Sequence, residues 1–139
     1  MNLNRTVRFG ETDSAGVIHF YQVLKWCHES WEESLEIYGV NLKEIFPKIN
    51  YENKSTFSVL LPIVYCDAGF FKPISTGDNL KVCLHPKFIN SSEFEIKTTF
   101  FREEMYVAYG MLRHVALDPL SMSKSSIPKI ILDWVSDSS

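Results

Sequence analysis

No run of about 18 consecutive apolar residues occurs in this chain, so a membrane-spanning helix is not expected. Residues 1–10 are polar and lack the apolar centre of a signal peptide, and a soluble, cytoplasmic protein with no membrane partner is the resulting expectation. Cysteine is scarce. Cys27, Cys66 and Cys83 lie far apart, form no Cys-x-x-Cys pair and are odd in number, which points to reduced intracellular thiols rather than a disulfide framework. Basic residues form no block: 14 Lys and Arg stand against 17 Asp and Glu for a net charge of −3, so nucleic acid is not an expected partner. His19, His28, His85 and His114 show neither His-x-His nor His-x-x-x-His spacing, and no glycine-rich phosphate loop is present. No metal and no cofactor are expected.

Large apolar side chains, by contrast, are plentiful. Ten Phe, six Tyr and three Trp within a 45% hydrophobic composition supply a core for one compact domain, and 139 residues leave little room for a second. Disorder is expected only at the serine-rich C-terminal end, from about residue 120. Residues 3–9 read as a short strand, followed by loop and helix-start chemistry over residues 10–16. Val17, Phe20, Leu24, Cys27, Trp31, Leu35 and Tyr38 then recur at steps of three and four, which predicts one amphipathic helix of about six turns closed by Gly39.

Beyond a less regular stretch at 40–55, the period changes to two. Residues 57–65 form a nearly continuous apolar run that predicts a strand buried on both faces. Leu80, Val82 and Leu84 alternate with polar neighbours, as do Phe94, Ile96, Thr98 and Phe100, and residues 105–117 form a long last strand stopped at Asp118-Pro119. Turn residues at 75–78, 90–92 and 102–104 separate these strands. One strand, one long helix and several antiparallel strands define an α+β domain whose sheet wraps around a single helix. A single-layer sheet leaves edges exposed, so a homo-oligomer, a dimer or a dimer of dimers, is expected to cover them.

The segment Val7-Arg8-Phe9-Gly10-Glu11-Thr12-Asp13-Ser14-Ala15-Gly16-Val17-Ile18-His19-Phe20 resembles the opening motif of the 4-hydroxybenzoyl-CoA thioesterase family, in which Thr-Asp, a variable residue, Ala-Gly and an apolar-aromatic run lead into the helix of the hotdog fold. The similarity continues through Trp26-Cys27-His28-Glu29-Ser30-Trp31-Glu32 and Phe71-Lys72-Pro73-Ile74-Ser75-Thr76-Gly77-Asp78-Asn79-Leu80-Lys81-Val82, and covers roughly residues 6–119. Within the family, the Cys-His-Glu segment and the Phe-Phe-x-Pro…Gly-Asp turn most resemble the hydrolases that act on 1,4-dihydroxy-2-naphthoyl-CoA in phylloquinone biosynthesis. The resemblance implies a single hotdog domain, an aromatic acyl-CoA substrate, and no cofactor, since CoA is part of the substrate.

It also implies roles for particular residues. Asp13 matches the catalytic carboxylate, acting as nucleophile on the thioester carbonyl or as general base on water. Phe20 matches the residue whose backbone N–H stabilises the oxyanion, which agrees with the unpaired amides at a helix N-terminus. An Asp ahead of a helix is also an ordinary N-cap, so capping is the competing reading of Asp13. Gly16 either lets substrate approach the backbone or eases a tight helix entry. His19 stands where relatives often carry Tyr; a role for that hydroxyl cannot be carried over, and His19 is expected to contribute shape or a hydrogen bond in substrate positioning. Glu29 and Glu32 lie mid-helix, and a second hotdog thioesterase class uses a helix glutamate as its catalytic carboxylate, but a solvated helix face is the commoner explanation here. A Cys27–His28 nucleophile pair is rejected, because adjacent helical positions point about 100° apart. Lys72, Lys81, Arg102 and Arg113 are scattered charges available to CoA phosphates, none assigned individually. Rival functions are hydrolysis of aliphatic acyl-CoA or acyl-carrier-protein thioesters and a non-catalytic acyl-CoA binding module.

Overall fold

The computed structural model describes residues 1–47 and 59–139. Five antiparallel strands, β1 (Asn2–Thr6), β2 (Ile63–Phe70), β3 (Asn79–Asn90), β4 (Glu93–Arg102) and β5 (Met105–Val115), form one sheet in the order β1-β3-β4-β5-β2. The period-two residues do what alternation requires: Leu80, Val82 and Leu84 on β3 and Phe94, Ile96 and Phe100 on β4 face the core. Helix α1 (Gln22–Tyr38) lies on this face, burying Val23, Trp26, Cys27, Trp31 and Leu35, and ends where Gly39 adopts φ 103°. The sheet curled on one helix is the expected α+β hotdog arrangement. Gly110 on β5 makes the close helix–sheet contact possible, since a Cβ there would run into the Cys27 sulfur.

Three sequence expectations need correction. The helix does not begin at Val17: Ile18 pairs with Thr12 and donates its N–H to the Ile74 carbonyl (2.9 Å), so tertiary pairing takes residues 17–18 out of helical conformation despite their spacing. Residues 57–58 lie outside the described residues, and the strand there is Ile63–Phe70, which among the described residues is an edge strand hydrogen-bonded to β5 alone, with Ile63, Val64, Tyr65 and Phe70 exposed rather than buried on both faces. Part of the irregular 40–55 stretch likewise falls outside the described residues; before it, Asn41 caps the short helix α2 (Leu42–Ile45).

The third correction concerns the C-terminal end, which is ordered. Pro128 precedes helix α3 (Lys129–Ser138), where Ile131, Trp134 and Val135 are buried against β3, and the Tyr38 hydroxyl donates to Asp137 Oδ2 at 2.6 Å, tying α3 to the end of α1. Among the described residues no helix is long and apolar enough to cross a membrane.

One core residue links stability to pH. His114 on β5 is fully buried, donates its Nδ1–H to the Leu61 carbonyl at 2.9 Å, stacks on Phe94 (ring centroids 5.1 Å) and lies against Trp31 (4.3 Å). Burial pulls its pKa from 6.5 down to about 4; the Leu61 carbonyl opposes the shift and nearby His28 adds to it. The unfolded chain therefore binds a proton at a pH where folded His114 refuses one. Its contribution to stability is complete above pH 6.5 and is lost as pH falls toward 4, by about 3 kcal/mol at the limit. Urea midpoints measured near neutrality and near pH 4.5 are expected to differ, with a narrower gap in His114→Phe; an equal gap in both proteins would remove His114 as the cause.

Candidate active site

Between β1 and α1 the chain makes a 3₁₀ turn (Phe9–Glu11) and then a narrow hairpin-like loop. Its rungs are the His19 N–H on the Glu11 carbonyl (3.1 Å), the Thr12–Ile18 bridge, and the Asp13 N–H on the Val17 carbonyl (2.8 Å). Gly16 closes the tip with φ 82°, a left-handed conformation that explains glycine here. Nothing lies within 4 Å of a Cβ built on Gly16, so open space adjoins the backbone at this point.

Asp13 is exposed at this tip. One carboxylate oxygen, Oδ1, accepts from the Ala15 N–H (2.8 Å) and the Val17 N–H (3.4 Å); Oδ2 accepts no hydrogen bond among the described residues. Because α1 begins only at Gln22, behind N-cap Tyr21, Asp13 caps its own loop and not the helix. Two local amides, not a helix N-terminus, hold the Asp13 carboxylate. Phe20 directly precedes Tyr21, and its N–H has no hydrogen-bond partner among the described residues. Phe20 is 77% exposed, off the core face to which the three-and-four spacing assigns it. His19 stacks on Tyr21 (ring centroids 5.3 Å, interplanar angle 9°).

A cleft of about 340 Å³ opens beside the loop, lined by Val17, Ile18, Phe70, Phe71, Lys72, Pro73 and Ile74. Phe71 is backed by Tyr106 (5.0 Å) and Tyr109 (6.0 Å). Arg102 fixes the far wall by donating to the Pro73 carbonyl (2.7 Å) and to Asp78 Oδ2 (2.9 Å). The cleft thus offers planar apolar surface beside the loop whose tip carries Asp13.

The remaining candidates lie elsewhere or are engaged. Glu29 is paired with Arg5 (2.7 Å) and Lys25 (3.7 Å), and Glu32 with His28 (2.9 Å). Cys27 faces the sheet, and burial pushes its thiol up to about 12, which disfavours a thiolate nucleophile. Of the four basic residues, Lys72 lines the cleft, whereas Arg102 and Arg113 are committed to Asp78 and Glu95. Among the described residues, no group of three or more His, Cys, Asp or Glu is placed to hold a metal ion. Sequence reasoning named Arg102 only as a charge available to CoA phosphates and missed its hold on Pro73 and Asp78, which depends on neighbours distant in the chain; it missed Glu11, which lies inside the quoted motif but carries no spacing signal of its own.

A single-layer antiparallel sheet closed on one helix, with a carboxylate loop leading into that helix, defines a hotdog-type domain. The family model of the thioesterase-like superfamily matches residues 7–135. A 1,4-dihydroxy-2-naphthoyl-CoA hydrolase of Prochlorococcus marinus strain MIT 9211 is 47% identical over 136 residues, covering 98% of this chain and 89% of the relative. The crystal structure of a protein from Prochlorococcus marinus strain MIT 9313 superposes with a TM-score of 0.93 at 43% identity, covering 99% of this chain and 95% of that one. A 1,4-dihydroxy-2-naphthoyl-CoA thioesterase from Synechocystis superposes with a TM-score of 0.85 at 26% identity, over 98% and 95% of the two chains. The chain belongs to the thioesterase-like superfamily.

Proposed function

We propose that this chain hydrolyses 1,4-dihydroxy-2-naphthoyl-CoA to 1,4-dihydroxy-2-naphthoate and CoA, a step of phylloquinone biosynthesis. The near-full-length similarity to a hydrolase of that thioester carries the substrate assignment. The half-free carboxylate of Asp13 supports the mechanism. Asp13 Oδ2 either takes a proton from water as that water attacks the thioester carbonyl carbon, or attacks the carbon itself. In both routes the carbonyl oxygen gains negative charge, to which the Phe20 N–H donates, and collapse of the tetrahedral species breaks the C–S bond to release CoA as thiolate; in the second route the acyl group is left on Asp13 as a mixed anhydride, which water hydrolyses to release the acid and restore the carboxylate. Neither route calls on a cofactor. The naphthoyl ring lies in the cleft against Phe70 and Phe71.

A panel of acyl-CoA thioesters read by thiol release tests the substrate. The expected order puts 1,4-dihydroxy-2-naphthoyl-CoA first in kcat/KM, ahead of benzoyl-type and aliphatic thioesters; a palmitoyl or short-chain thioester in first place would overturn the assignment and leave the fold untouched.

Edge strand β2 supports a homo-oligomer. Ile63, Val64, Tyr65 and Phe70, with Phe71 just beyond, are each between 41% and 53% exposed, and strand edges of this kind are ordinarily covered. A second copy pairing through β2 would cover them and place its own surface beside the cleft that Phe70 and Phe71 line. Light scattering is expected to return at least twice the 16.1 kDa of one chain, and Val64→Asp with Tyr65→Lys to return a single chain with reduced turnover. A parent protein of single-chain mass at micromolar concentration would end the interface reading.

A further inference from the structure

We infer that Glu11 is a positioning residue that sets the relation between the Asp13 carboxylate and the Phe20 amide; the inference rests on the reading of those two groups given above. Glu11 sits at the base of the loop where both of its ends meet. Its main-chain carbonyl accepts the N–H of His19, the neighbour of Phe20, while the chain running forward reaches Asp13 two residues on. Its side chain is only 16% exposed, and each carboxylate oxygen has a separate donor: Oε1 takes the Arg8 N–H (2.8 Å) and Oε2 takes the indole N–H of Trp26 (2.6 Å). Trp26 is fully buried on α1, and Arg5 lies over its ring (5.5 Å), 3.9 Å from Glu11 Oε2 and paired with Glu29 of the same helix.

The base of the loop is therefore bolted to the first turns of α1 and to the end of β1, while its tip is exposed. Without Glu11, the rungs that hold Asp13 opposite Val17 would still form, but nothing in this network would fix the loop as a body against the helix from which Phe20 departs. A carboxylate is needed rather than an amide, because two donors converge on two oxygens; Gln would turn an NH2 group toward either the Arg8 or the Trp26 N–H. Misplacing a reacting group by about 1 Å costs on the order of 100-fold in rate, so loosening this anchor acts on kcat before it acts on binding in the cleft.

The test is a double-mutant cycle read by single-turnover thiol release, with circular dichroism and melting profiles for every variant. Glu11→Gln is expected to lower kcat by about 10- to 100-fold with KM within about threefold of the parent. In an Asp13→Asn background the same substitution should change the residual rate by less than about threefold, because the group it places has already gone. Trp26→Phe, which removes the indole donor and keeps the ring, is expected to reproduce the kcat loss and serves where Glu11→Gln folds poorly. Parent kcat in folded Glu11→Gln and Trp26→Phe, together with a large loss in Asp13→Asn, would overturn the role of Glu11 alone. An equal Glu11→Gln loss in both backgrounds would show that Glu11 acts independently of Asp13 and would also overturn it. Parent kcat in Asp13→Asn would overturn the reading of Asp13 itself, and the inference with it.

Discussion

Asp13→Asn is expected to lower kcat by roughly 10²–10⁴-fold as the loss of a general base, and further if the carboxylate is the nucleophile. The local geometry makes this substitution unusually selective. Asn Oδ1 can accept from the Ala15 and Val17 amides as Asp13 Oδ1 does, so the loop keeps both of its side-chain hydrogen bonds. Only Oδ2, which has no partner among the described residues, is exchanged, for an NH2 group that neither accepts a proton nor attacks a carbonyl. Capping of the loop and chemistry at the thioester thus separate onto the two oxygens of one side chain. Melting temperature and substrate affinity are expected to stay at parent values while turnover collapses. A folded variant that retained parent kcat would remove Asp13 from the mechanism and turn attention to Glu29 or Glu32, which would first have to leave Arg5 and His28 respectively. A single turnover in heavy-oxygen water probes the nucleophilic route: direct attack of water puts label only in the product acid, whereas label found in the Asp13 carboxylate shows that an anhydride formed there and that water opened it at the Asp13 carbonyl.

How far the sequence could be read depended on which interactions decide each element. Strands β3, β4 and β5 stand close to where period-two alternation puts them, because half of each strand's side chains meet the core and the others do not. The body of α1 is equally plain from Trp26, Cys27, Trp31 and Leu35 on one face. Its start was not legible, because Val17 and Phe20 fit the helical spacing by coincidence. The deciding interactions are the Ile18–Ile74 hydrogen bond and the Thr12–Ile18 bridge, and Ile74 is too distant in the chain for local periodicity to register. The apolar run 57–65 predicts a strand buried on both faces, whereas the observed strand is Ile63–Phe70 at the edge of the sheet, since apolar composition alone cannot tell a central strand from an edge strand. Asp13, Gly16, His19 and Phe20 were singled out only through a family motif; composition and spacing would have left Asp13 as a helix cap, and the structure shows it caps its own loop.

The C-terminal helix gives the other large expected effect, on stability rather than turnover. Serine at both ends of residues 121–139 suggests a solvated tail, yet Ile127, Ile131, Trp134 and Val135 recur at helical spacing inside it, and Pro128 is suited to a helix start. All four are core residues, with Ile131 and Trp134 at 0% exposure. Trp134→Ala is expected to cost roughly 3–5 kcal/mol, the usual range for removing a buried aromatic side chain that its neighbours cannot collapse to replace. That corresponds to a fall in melting temperature on the order of 10–15 °C for a domain of this size. Trp134→Phe should cost much less. Its ring keeps most of the contact area, and the indole N–H it deletes has no hydrogen-bond partner among the described residues, so no partner is left unsatisfied. Urea unfolding of the three proteins ranks them: parent, then Phe, then Ala well below. Parent-like midpoints for Trp134→Ala would mean that α3 does not pack on β3 in solution, and would return residues 129–138 to the solvated tail that their serines suggest.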